Sequence, residues 1–184
     1  LDKLILSWLL PLEQLGVYAI AATAAFGSLR LISPIFNAVL PRLVQLRNKE
    51  KKLIAFNKKF ALTISILVFG SAIAYSTFGY EILEIWLHDT SVVKAVYPLL
   101  SFLLVGSAMN AFYGIGYQNW LAKGKVKKVL IVNMIALFIS LPAMIVLISK
   151  YGLIGATFGW IFLNFIGLIM SLSWIKLSII KRGF

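Results

Sequence analysis

The sequence predicts an all-α integral membrane protein, and three observations carry that prediction. Long apolar stretches follow one another across short polar gaps, and no stretch alternates with the period of two that builds a membrane barrel. The Lys and Arg residues fall almost entirely into three clusters, and these occupy every second gap. The clusters are Arg42, Arg47, Lys49, Lys51, Lys52, Lys58 and Lys59; Lys123, Lys125, Lys127 and Lys128; and Lys176, Lys181 and Arg182. The intervening gaps carry Glu13, then Glu81, Glu84 and Asp89, then Lys150 beside Tyr151 and Gly152. Short loops next to membrane spans keep their Lys and Arg on the cytoplasmic side. The alternation therefore predicts several spans and one orientation, with the C-terminus cytoplasmic.

Composition agrees. Hydrophobic residues make up 61% of the 184 and charged residues 13%, against about 45–50% and ~25% in a soluble domain. The net charge of +12 then reads as topology. A nucleic-acid interface is not expected, because the basic residues sit in short linkers between apolar runs and not on polar faces. There is no cysteine, which excludes disulfides and thiolate metal sites. No metal cluster, phosphate-binding loop or nucleophile-and-base pattern is present, so neither a cofactor nor catalysis is expected.

The first element is an apolar run, Leu4 to Leu10, that ends at Pro11. A spanning helix needs about 20 apolar residues, so the chain reads as cut inside a helix (residues 1–10), with further spans upstream. The turn 11–16 follows, and then a span over 15–41. Its apolar part, Leu15 to Leu40, would be about 39 Å long at 1.5 Å per residue, which calls for tilt or for a bend at Pro34. Residues 42–59 form a basic linker. Leu43, Leu46, Leu53, Ile54 and Phe56 are spaced among its lysines as in an amphipathic helix on the inner interface.

A third span over 60–80 leads to an outer loop with Glu81, Glu84, Trp86, His88 and Asp89. The fourth covers 93–121, with Tyr97 and Trp120 near its ends, where aromatic belts sit. A turn at Lys123-Gly124-Lys125 precedes a fifth span over 129–148, with Pro142 inside it. The sixth runs over 153–175. The expectation is six helices, the first incomplete.

Arg30 stands apart from every cluster, just past the middle of the second span. A centred Arg costs about 2.5–3.5 kcal/mol on insertion scales. Roughly eleven large apolar residues at about −0.3 to −0.6 kcal/mol each offset it, leaving little margin. Its guanidinium should face protein or water, and both a cavity-facing role and an ion pair or hydrogen bonds to a neighbouring helix fit. Snorkelling is strained, since about a dozen residues separate it from the interface.

Thr23, Gly27, Arg30, Ser33, Asn37 and Pro41 share one helix face by three- and four-residue steps. Gly106, Asn110, Tyr113, Gly114 and Tyr117 do so on the fourth span, Asn133 and Ser140 on the fifth, and Trp160, Asn164, Gly167, Ser171 and Trp174 on the sixth. Such faces serve helix packing or line a cavity. Packing is the favoured reading for Asn133 and Asn164; for Asn110, Tyr113 and Tyr117 both stand. Asp2 is intramembrane if its helix begins well upstream, and interfacial if it begins near residue 1. In the first case it would pair with Arg30 or hold a coupling cation. His88, beside Asp89, reads as a solvated loop residue.

Several stretches together resemble a known family. They are Leu1-Asp2-Lys3-Leu4-Ile5-Leu6-Ser7; Leu12-Glu13-Gln14-Leu15-Gly16-Val17-Tyr18; Ser33-Pro34; and Leu40-Pro41-Arg42-Leu43. Further on come Ile82-Leu83-Glu84-Ile85-Trp86-Leu87, Ala122-Lys123-Gly124-Lys125 and Tyr151-Gly152-Leu153-Ile154-Gly155-Ala156. In this order and spacing they resemble the C-terminal half of bacterial polysaccharide flippases, the O-antigen and teichoic-acid exporters of the multidrug/oligosaccharidyl-lipid/polysaccharide superfamily. The likeness covers nearly the whole chain, although each motif alone is degenerate.

The resemblance implies two six-helix lobes around a central cavity, this chain forming most of the second and lacking the N-terminal lobe. It implies the inner membrane as location and a polyprenyl diphosphate glycan as substrate, moved between leaflets by alternating access. The family's cavity is cationic, which suits Arg30, because a guanidinium binds phosphate oxygens and stays charged when desolvated. Asp2 matches an acidic position near the start of the family's seventh helix. Many members carry a small apolar or polar residue where Arg30 stands, so that site carries over less firmly than the fold. With Asn37, Asn110, Tyr113 and Tyr117, these are the expected substrate-binding residues. Two other functions compete: a cation-coupled drug antiporter of the same superfamily, which would want intramembrane acids, and a non-transporting membrane subunit whose polar faces only pack helices.

Overall fold

The computed structural model of the chain describes residues 2–172, with Asp2 described by its backbone alone. The Asp2 side chain, Trp174, the third basic cluster and the C-terminal tail lie outside the described residues. Within them the fold is all helical. Helix α1 is Asp2–Leu9, α2 Leu12–Leu46, α3 Glu50–Leu87, α4 Thr90–Ala122 and α5 Val126–Ser171. The last four are long and apolar enough to cross a membrane.

The helices run further than the apolar stretches suggest, because the residues flanking those stretches are themselves helix formers. The basic segment 42–59 is not a separate interfacial helix. Its first residues end α2, 47–49 make the turn, and the rest begin α3. At the other end, Glu81, Glu84 and Trp86 lie on the last turns of α3 and not in a loop. Nothing in 81–87 breaks a helix. The stop comes at His88, exposed and in the left-handed region at φ 53°. Asp89 then starts α4: its carboxylate accepts from the backbone N–H of Ser91 at 2.8 Å and of Val92 at 3.2 Å, the hydrogen bonds that an N-cap supplies to a helix start.

The fifth and sixth expected spans lie within one continuous helical segment, α5, which breaks at Gly152 with φ 58° and ψ −132°. Only glycine adopts that conformation without a steric penalty. Forty-six residues of straight helix would extend about 69 Å, but the helix folds back. Gly155 lies against the backbone of Leu147, and Gly159 against the Met144 side chain. Pairs 8 and 15 residues apart touch only if the arms 126–151 and 153–171 lie side by side, antiparallel.

Around this hairpin α4 is the central element. Towards the end away from the basic loops, Tyr18, Ala21, Ala22 and Ala25 of α2 pack with Val96, Leu99, Leu100 and Leu103 of α4, joined by Leu6 of α1 and by Ile148 and Ala156 of α5. The alanines let α2 approach α4 closely, the usual means of packing helices in lipid, where the hydrophobic drive between helices is weak. Lower down, Phe60, Ile64 and Val68 of α3 join Ala111 and Ile115 of α4, with Phe36 of α2 alongside. At the basic end Leu43, Leu46, Leu53 and Ala122 close the bundle. There Asn57 and Asn119, both buried, exchange two hydrogen bonds of 3.0 Å. Helix α3 is the outermost: Leu62, Ile66, Phe69 and Ile73, at three- and four-residue steps, are all more than half exposed. An apolar stripe facing outward is the inverse of a soluble helix and fits lipid as the solvent.

Candidate functional site

The polar stripe of α2 points away from the bundle core. Thr23, Arg30, Ser33, Asn37 and Pro41 are exposed, and a side chain added at Gly27 would meet open space. The opposite face supplies the buried Tyr18, Ala21, Ala22, Ala25, Leu43 and Leu46. Among the described residues the Arg30 guanidinium makes neither a hydrogen bond nor an ion pair. It is the sole charged side chain between Gln14 and Pro41, and residues 60–80, 95–122, 129–149 and 151–171 contain no charge at all. Those stretches therefore offer it no acidic partner. The cation is left to water, an anion, another polypeptide or a side chain outside the described residues, such as that of Asp2, since lipid would leave it unsolvated.

The expected residues of α4 behave differently. Asn110 donates to the Oδ1 of Asn164 at 2.7 Å, and Asn164 donates to the carbonyl of Trp160 at 2.8 Å. Tyr113 donates to the Oδ1 of Asn133 at 2.8 Å. These bonds tie α4 to both arms of α5. Glycines make the approach possible: a Cβ at Gly106 would collide with the Trp160 ring, and Gly167 lies in contact with the ring of Tyr113. Tyr113 also meets Tyr117 and Trp120 edge-on, with centroids 5.9 and 6.4 Å apart, and the Lys128 ammonium stands 4.7 Å from the centre of the Trp120 ring. Asn110, Tyr113 and Tyr117 thus form a polar seam, half-buried, with Asn133 at its exposed edge.

Helix α2 also meets α5 beside the stripe. Phe26 lies about 40° around α2 from Arg30, and its ring meets Trp160 edge-on at 5.0 Å. Phe26 also lines a cavity of about 140 Å³ with Leu137, Ser140 and Met144 of the first α5 arm and Trp160 of the second. Helix α2 and the first arm therefore face each other across this cavity. Following both towards the basic end, Arg30, Ser33 and Asn37 come next on one wall and Asn133 on the other. The contact of Phe36 with Gly114 sets Asn37 level with Tyr113. Arg30 stands two turns further from the basic end, about 10 Å along the helix.

Four of the expected site residues other than Arg30 are thereby placed: Asn37 on the stripe, and Asn110, Tyr113 and Tyr117 in the seam. The Asp2 side chain lies outside the described residues. The buried pair Asn57–Asn119 was not expected. Its signal, two asparagines at matching depth near the basic ends of adjacent helices, requires the helix register to be known first.

No protein family and no solved structure matches the chain. In an alignment of 166 positions that covers 86% of the chain, it is 25% identical to a Shigella flexneri protein named "Putative O-antigen transporter". The chain spans 38% of that relative. The likeness to polysaccharide flippases carried by the motifs is thus matched by a likeness, over most of the chain, to a protein named as an O-antigen transporter.

Proposed function

We propose that the chain is part of a transporter that moves a lipid-linked oligosaccharide, a polyprenyl diphosphate glycan, from the inner to the outer leaflet for surface polysaccharide synthesis. The observation that carries this reading is Arg30: exposed, unpaired among the described residues, and at mid-helix on the face of α2 that also carries Ser33 and Asn37. A lone cation at that depth favours an anionic substrate. A guanidinium offers diphosphate oxygens charge-assisted hydrogen bonds, and the amide and hydroxyl of that face suit sugar hydroxyls. The proposed activity is transport, without a chemical step on the substrate.

In this reading the two arms of α5 cross the membrane separately, the basic loops lie on the cytoplasmic side of the inner membrane, and the chain serves as the second lobe of a two-lobe, alternating-access transporter. The exposed polar face of α2 then faces the first lobe across a central cavity. The apolar stretches of the described helices contain no acidic residue, which favours this over cation-coupled drug antiport, which would want intramembrane acids.

The full-length gene, placed in cells lacking their polysaccharide flippase and supplied with matched glycans, should restore surface polysaccharide. Failure with every matched glycan, at normal membrane levels of the protein, would refute the reading.

A further inference from the structure

A cavity of about 500 Å³ lies apart from the Arg30 face of α2. It lies on the other side of α2, between α2, α3 and α4. Ser28 and Ile32 line it, and each is two residues from Arg30, hence about 200° around the helix. No charged side chain lines it. Its rim includes Leu31, Phe69 and Val105, which are 80%, 63% and 47% exposed, so it opens sideways, through an apolar edge.

The helices make this space because α2 and α3 are held together at one end and not at the other. The turn 47–49 and the cluster around Leu43, Leu46 and Leu53 join them at the basic end, and Phe36 meets Phe60 with centroids 5.6 Å apart. Beyond Val68 they part, leaving α4 as the floor of a wedge.

We infer that this wedge is a binding site for one hydrocarbon chain of a bilayer phospholipid, drawn from the leaflet opposite the basic loops. Three features select that occupant. The size, about 500 Å³, lies within the ~300–1,000 Å³ of ordinary ligand pockets. The length is right: the lining runs from Tyr97 to Ala108 on α4 and from Leu67 to Ser76 on α3, about 16 and 14 Å of helix. One leaflet of a ~30 Å hydrocarbon core is ~15 Å thick.

The polarity is graded in the same sense. At the end away from the basic loops, Tyr75 donates to the carbonyl of Tyr97 at 2.8 Å and Ser101 donates to the same carbonyl at 2.9 Å. That hydroxyl-rich mouth lies at the level of Tyr97, where the glycerol and ester groups of a phospholipid would sit. The deep end, near Val68 and Ala108, falls midway between Tyr97 and Trp120. Ser107 on the floor has a buried hydroxyl without a partner, but a helical Ser can turn to the carbonyl four residues back, as Ser101 does, so it makes no demand on the occupant. The chain would act as a packing element, filling the wedge between α2 and α3.

Native mass spectrometry of the protein extracted with its lipids tests this. One phospholipid per chain should persist through detergent exchange. Ala72→Trp and Ala108→Trp fill the wedge from two different walls, and each should lower retention about tenfold. Equal retention by the original protein and both folded variants would overturn the assignment.

A second measurement does not depend on the variants folding. Lysophospholipids of graded chain length, offered to the delipidated original protein, should bind more tightly up to the length that spans the wedge and no more tightly beyond it. Absence of any chain-length dependence would equally overturn it. Both results are independent of glycan export, so they stand or fall apart from the proposed function.

Discussion

The side-chain N–H of Asn110 donates to the Oδ1 of Asn164 across 2.7 Å, joining α4 to the second arm of α5 near the middle of both helices. Asn164 is buried and passes its own donor to the carbonyl of Trp160, so the pair forms a short chain of polar contacts within an apolar contact surface. Interhelical bonds of this kind contribute about 0.6–1.7 kcal/mol in membrane proteins. Asn164→Leu should lower stability by about 1–2 kcal/mol, because Asn110 loses its acceptor in a half-buried site. A double-mutant cycle with Asn110→Ala, read by reversible unfolding in detergent, should return a coupling within that range. A coupling of zero would mean that the two amides are solvated separately.

The α5 hairpin makes a prediction about glycines. A methyl at Gly155 would meet the backbone of Leu147, which cannot move without parting the arms, whereas a methyl at Gly159 meets the flexible Met144 side chain. Gly155→Ala should therefore cost about 1–3 kcal/mol or more, the usual range for overpacking, and Gly159→Ala distinctly less. Gly27→Ala, on the open face of α2, should be neutral or stabilise by up to ~1 kcal/mol through helix propensity. Thermal unfolding of the three variants gives the order directly.

Gly152 is limited by its backbone, not by its neighbours: nothing lies within 4 Å of an added Cβ, yet φ is 58° and ψ −132°. Gly152→Ala should destabilise by about 1–3 kcal/mol from strain alone. Unlike Gly159→Ala, it should not be relieved by trimming Met144. Combining each with Met144→Ala separates strain from a side-chain clash.

These positions also show what a sequence discloses. Tyr151-Gly152 marked the reversal, since a glycine between two apolar runs needs a reason. The stripe of α2 was legible because one Arg in an apolar helix fixes the face that carries it. Register was not: which Asn meets which depends on how α4 and α5 are rotated and slid, and the pairings Asn110–Asn164, Tyr113–Asn133 and Asn57–Asn119 appear only once both are set. Helix ends were misjudged for a related reason. Basic residues at 42–46 and 50–59 and the run 81–87 leave the apolar core without leaving the helix. The wedge between α2 and α3 has no sequence signature, because its lining resembles any lipid-facing surface.

Acid should loosen the start of α4. The Asp89 carboxylate accepts from the Ser91 hydroxyl at 2.6 Å and from the backbone N–H groups of Val92 and Ser91, and these bonds hold its pKa below the ordinary carboxylate value. The unfolded segment therefore binds the proton more readily than the folded one. The contribution is full above the ordinary carboxylate range and is lost as pH falls through the lowered value. Hydrogen exchange in the first turn of α4 should accelerate over that window, and Asp89→Asn, which keeps an acceptor but does not titrate, should abolish the dependence.

Arg30→Ala should reduce glycan export at least about tenfold in a protein that still reaches the membrane, since a charge-assisted hydrogen bond is worth about 1.5–3 kcal/mol and each 1.4 kcal/mol is tenfold. Arg30→Lys should recover part of the loss by restoring charge without the planar fork. Unchanged export in Arg30→Ala would remove the residue from substrate handling.

The central claim is that the stripe of α2 carrying Arg30 faces a water-accessible cavity, while the face carrying Leu31 meets lipid. The chain contains no cysteine, and with any cysteine in the rest of the full-length protein replaced by serine, single cysteines report without background. Ser33→Cys and Asn37→Cys in the full-length protein in its native membrane should react with a membrane-impermeant, water-soluble thiol reagent in open vesicles, and Leu31→Cys should not. Reaction at Leu31→Cys with none at the two stripe positions would contradict the account and turn the polar face towards the bilayer.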